Sequence, residues 1–165
     1  MPNANRRGRE SDEVSTQATR VRCFCLTTHT GGDGLSEFDI VELVRRFANE
    51  QDGVRFVIGQ LEKCPDTGRI HFQWYLQCHN PGTIASVKRK LRRVDERLNT
   101  THIEIAQGTS DQNIEYCSKQ SSRYVPEGAT PEQCAVRHGQ AHVGAGRGAG
   151  KLFILIPEFV TPHQY

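Results

Sequence analysis

The residues from Glu62 to Gln73 carry three side chains of the types that hold a divalent cation. Ile70 to Gln77 (IHFQWYLQ) alternates apolar with polar, the period of a half-buried strand. Successive side chains on a strand point to opposite faces. Ile70, Phe72, Trp74 and Leu76 therefore share a core face, and His71, Gln73, Tyr75 and Gln77 share the other. Pro65-Asp66-Thr67-Gly68 has turn chemistry and closes a hairpin whose first arm, Val54 to Glu62, returns Glu62 towards His71. An imidazole, an amide oxygen and a carboxylate meeting on one open sheet face make a donor set for a divalent metal. Taken alone, a His-x-Gln pair is more often a polar, solvent-facing edge. A second constellation lies downstream, Tyr116-Cys117-Ser118-Lys119, on a helix opened by the capping-box pattern of Thr109 and Gln112. Gln112, Tyr116 and Lys119 fall on one helix face, with Ile114 and Cys117 turned to the core. By itself a tyrosine with a lysine one turn on is an ordinary exposed amphipathic pair.

Together the two constellations resemble the HUH-type endonuclease domain of replication-associated (Rep) proteins of circular single-stranded DNA viruses, the circovirus and cyclovirus type. His71-Phe72-Gln73 is similar to the family's second motif, and Tyr116-x-x-Lys119 to its third. The approach HIEIAQGTSDQNIEYCSK is similar throughout, and the resemblance spans residues 21–123. Phe24-Cys25-Leu26-Thr27 keeps the hydrophobic positions of the first motif and replaces two polar ones. Trp74 stands where the family has glycine; by alternation it faces the core, so altered packing with intact ligands is expected.

The resemblance implies a metal site of Glu62, His71 and Gln73, Glu62 being placed by its distance before His71. Oxygen-rich ligands with one imidazole suit Mg2+ or Mn2+ better than zinc. It implies Tyr116 as the nucleophile on single-stranded or stem-loop origin DNA. The products would be a 5′-phosphotyrosine and a free 3′-hydroxyl, with later rejoining in rolling-circle replication. Lys119 would favour the phenolate, hold a phosphate oxygen or help orient the metal, and the sequence does not separate these. Further partners are a second copy or a full-length Rep chain, without a membrane, in the host nucleus. The alternative is a non-catalytic origin-binding module, because sheets of this kind also bind single strands without chemistry.

The elements that must position these residues follow in order. A chain of 165 residues with net charge +2 has room for one domain with tails. Met1 to Arg20 reads as a disordered basic leader. Val21 to Thr28 is a strand, with Cys23, Cys25 and Thr27 on one face and Phe24, Leu26 and Thr28 on the other. Ser36 and Asp39 open a sheet-packing helix built on Ile40, Val41, Leu43, Val44, Phe47 and Ala48. Thr83 caps a second helix whose apolar stripe is Ile84, Val87, Leu91 and Val94. Its other faces carry Lys88, Arg89, Lys90, Arg92 and Arg93, a solvated face or a phosphate-tracking surface. Thr101 to Gln107 is a further strand. The order β-α-β-β-α-β-α predicts an α+β, ferredoxin-like (RRM-like) domain over 21–123, an antiparallel sheet with packed helices. Residues 124–165, rich in glycine and proline, read as a flexible tail without a helicase domain: Leu152 stands where a phosphate loop needs Ser or Thr. The six cysteines lack paired Cys-x-x-Cys spacing and read as reduced, structural thiols.

Overall fold

Alternation along the strands divides the sheet into two unlike faces. The computed structural model describes residues 18–31 and 34–142. Its elements run β1 (Val21–His29), α1 (Glu37–Glu50), β2 (Val54–Lys63), β3 (Ile70–Gly82), α2 (Ile84–Val94), β4 (His102–Ile105), α3 (Ser110–Ser118) and β5 (Ala135–Gly139). The strands form one antiparallel sheet in the order β4-β1-β3-β2-β5. The fold is α+β and ferredoxin-like, as the order of elements predicts.

One face holds the main core. Phe24, Leu26, Val57, Leu61, Phe72, Trp74 and Leu76 meet Ile40, Val44 and Phe47 of α1 and Val87, Leu91 and Val94 of α2. Both helices start on capping boxes, Ser36 with Asp39 and Thr83 with Ser86, which satisfy amide groups that a helix start leaves free. Ile84, expected in the apolar stripe, is the first helical residue of α2 and is 40% exposed. Trp74 lies in the core as its phase requires, edge-on to Phe47, its indole N–H donating to Thr28 Oγ1 at 3.2 Å. Gly59 pairs with Trp74 across the ladder. A Cβ at Gly59 would overlap Trp74 Cβ and the Phe72 ring, so the missing side chain makes room for the indole.

The other face carries four cross-strand rows: Phe56 with Gln77 and Cys23, Ile58 with Tyr75 and Cys25, Gln60 with Gln73 and Thr27, and Glu62 with His71 and His29. Helix α3 packs Cys117 and Ile114 over the first two rows. The last two adjoin its C-terminal end, where Gln60 donates to the Lys119 carbonyl.

The expected flexible tail from residue 124 needs correction. The Tyr124 amide donates to the Leu61 carbonyl at 2.9 Å, a short 3-10 turn spans Pro131–Cys134, and β5 pairs with β2 from Phe56↔Gly139 to Gln60↔Ala135. Cys134 and Val136 are buried. A five-residue edge strand with one fully buried side chain offers little alternation to recognise. The leader through residue 17 and the glycine-rich run with Leu152 to Ile156 lie outside the described residues. Among those described, no helix is long and apolar enough to cross a membrane.

Candidate active site

The β2–β3 hairpin sets Glu62 directly opposite His71. Gly68 adopts φ +69 in the turn, a conformation glycine reaches without a Cβ clash, and its amide bonds to the Cys64 carbonyl at 2.8 Å. Glu62 Oε2 lies 3.5 Å from His71 Nε2, and Gln60 Nε2 donates to Glu62 Oε1 at 3.2 Å. Glu62 is only 3% exposed. Burial pushes its carboxyl upward, yet hydrogen bonds from His71 and Gln60 and the charge of Lys119 outweigh burial and hold it below the ordinary carboxylate range.

Gln73 lies two residues along the same face, but its amide is turned to β1. Its Oε1 accepts from Thr27 Oγ1 at 3.0 Å and its Nε2 donates to the Leu26 carbonyl at 3.1 Å. A carbonyl oxygen accepts twice, so one lone pair of Gln73 remains for another partner. Among the described residues no three His, Cys, Asp or Glu side chains cluster as metal ligands. A cation here would take an amide as its third protein donor. An ionised carboxylate, one imidazole and an amide oxygen form a set that fits a hard, oxygen-preferring ion.

His29 stands across the β1–β3 pair from His71, ring centroids 5.8 Å apart. Burial first, then the charges of His71, Arg69 and His102, lower its basicity. Sequence reasoning passed over His29, although it continues the phase of Cys25 and Thr27 at the strand's end.

Helix α3 brings up the tyrosine. Thr109 and Gln112 form the expected capping box. Asn113 then ties the start of the helix to the Gln107 and Thr109 carbonyls at 2.8 Å each, and accepts from Cys25 Sγ. With Cys117 fully buried on the sheet, its neighbour Tyr116 is turned outward and is 51% exposed. Lys119 Nζ sits 3.9 Å from the centroid of the Tyr116 ring. The same lysine's positive charge also favours the ionised form of Glu62.

Tyr75, which alternation places on the same face as His71, is sealed beneath α3. It is 1% exposed and its hydroxyl is within hydrogen-bond reach of Ser110 and Gln77. Burial, followed by a hydrogen bond with Cys23, pushes its phenol up to about 12. Tyr124 packs against the main core, and Tyr165 lies outside the described residues. The basic residues of α2 are not brought to this site: α2 packs on the opposite face of the sheet. There Arg92 pairs with Glu96 at 3.0 Å and Lys90 donates to the Asp52 carbonyl, while Lys88, Arg89 and Arg93 are exposed.

A family model for viral replication proteins matches residues 21–120, from the start of β1 to just past Lys119. A search of curated proteins found no match.

Proposed function

The chain belongs to the viral replication protein family, and from that membership we propose that it is a replication initiator endonuclease, a nickase and strand-transferase for single-stranded origin DNA. The observation that carries this reading is the exposed Tyr116 phenol under the Lys119 ammonium, on a helix whose end is linked to the Glu62 carboxylate through Gln60.

Glu62, His71 and Gln73 would hold Mg2+ or Mn2+, which when bound supplies a Lewis acid for the scissile phosphate and offsets charge on its oxygens. The chain's own groups supply the rest. Tyr116 Oη attacks phosphorus in line; the new bond is phosphotyrosine, and the bond broken is that to the 3′-oxygen. The 3′-oxygen leaves with a proton, as the phenol gives one up. An ordinary phenol holds its proton to about pH 10, so charge balance near the ring matters, and Lys119 would supply it to phenolate or phosphate oxygen. The phosphoester is kept rather than hydrolysed, so a later 3′-hydroxyl can reverse the step and reseal the strand. Tyr75 is withdrawn from the reaction by burial and by its raised pKa.

The test is incubation with a stem-loop origin oligonucleotide and Mn2+, followed by a denaturing gel and mass spectrometry of the trapped adduct. The wild-type chain should carry the nucleotide on Tyr116 alone. Tyr116→Phe should form no adduct and still bind the oligonucleotide, since ring and packing are kept. A nucleotide on another tyrosine would break the assignment. No adduct with any divalent ion would favour a non-catalytic origin-binding module.

A further inference from the structure

The C-terminal end of α3 is held by a clamp that lies outside both motifs. A helix leaves its last carbonyls without intrahelical partners, and no glycine follows α3 to close them. Two are taken instead by side chains. Gln60 Nε2 donates to the Lys119 carbonyl at 2.6 Å, and Arg123 Nη2 donates to the Ser118 carbonyl at 3.2 Å. The Arg123 guanidinium thereby lies at the negative end of the helix dipole. The second N–H of Gln60 reaches Glu62 Oε1 at 3.2 Å, and its oxygen accepts from Arg123 Nε at 2.8 Å. Both donors of this amide are used, and it is 1% exposed in the middle of β2. Arg123 is itself fixed by the backbone, through a bridge to Glu62 and the Tyr124 amide on the Leu61 carbonyl. One buried amide thus touches both halves of the site: the carboxylate on β2 and the main chain of the lysine that covers Tyr116.

We infer that Gln60 and Arg123 are positioning residues for strand transfer, setting where Tyr116 and Lys119 stand relative to Glu62 and His71 without touching DNA. The inference rests on reading the chain as a Tyr116-dependent nuclease. Gln60→Met keeps the length of the side chain and removes its hydrogen bonds; Arg123→Gln removes the charge and the fork. With DNA already bound and Mn2+ present, the single-turnover cleavage rate of each should fall roughly tenfold to a hundredfold, with the DNA dissociation constant unchanged. A variant that merely loosened the fold would lose binding and rate together. Arg123→Gln, at a half-buried position, carries the test should Gln60→Met not fold. Amide hydrogen exchange reads the clamp without chemistry: the amides of residues 116–122 should exchange roughly tenfold faster in each variant, with those of β1 and β3 as in the wild type. A wild-type cleavage rate in the folded variants, or unchanged exchange at the end of α3, overturns the inference. A wild-type chain that forms no adduct while the variants still show faster exchange overturns the nuclease reading and leaves the clamp standing.

Discussion

The neighbours of the buried Glu62 carboxylate outweigh burial and favour its ionised form. The fold lowers its pKa below the unfolded value, so it favours the charged form. The stability this contributes is present above the unfolded pKa of about 4.3 and is lost as pH falls through the lower folded value. The difference in unfolding free energy between the wild type and Glu62→Gln should therefore be larger at neutral pH and shrink below about pH 4. Denaturant midpoints measured across that range check it. A difference that grows on acidification would mean that the carboxyl is held protonated, and a protonated carboxyl is a poor ligand for a cation.

At the scale of elements, α2 is set apart from the site, on the far face of the sheet. On the proposed function, any contact it makes with DNA should add affinity and leave the chemistry unchanged. Replacing Lys88, Arg89 and Arg93, its exposed cations without a side-chain partner among the described residues, should flatten the salt dependence of single-strand binding. Each phosphate that the helix no longer neutralises takes roughly 0.7 from the log–log slope, and the cleavage rate of bound DNA should not change. An unaltered slope would make α2 a solvated face. The helices and the four longer or well-patterned strands were readable in the sequence, because alternation and capping boxes are local signals: Ser36 with Asp39, Thr109 with Gln112, and the eight-residue alternation around His71. Alternation assigns a face without saying what covers it, which is why Tyr75 read as an open phenol and is buried under α3. Gln60 shares the phase of Glu62, yet its partners Lys119 and Arg123 lie 59 and 63 residues away, and no local pattern announces them. In the same way, alternation puts Gln73 on the open face and leaves its turn towards Thr27 and Leu26 unseen.

Across the whole molecule, the family match ends at residue 120 and the packed domain does not. Residues beyond it complete the sheet with β5 and bury Cys134 and Val136. A chain ended at Arg123 should be less stable than one ended at His142 by about 3 kcal/mol, from the missing apolar burial alone. It should also self-associate, because β2 becomes a bare sheet edge. Chemical denaturation and light scattering measure both, and equal midpoints for the two chains would show that β5 adds nothing. The clamp on α3 has a further consequence for the order in which the protein assembles. Glu62 and His71 face each other across a single tight turn, a pairing of the kind that closes on the order of microseconds. The end of α3 is tied to the sheet through Gln60, 59 residues before Lys119, and closing a loop of that length is slower. The hairpin pair is therefore an early product of folding and the end of α3 a late arrival. A chain still emerging from the ribosome can pair Glu62 with His71, but the end of α3 is not locked until Arg123 is in place.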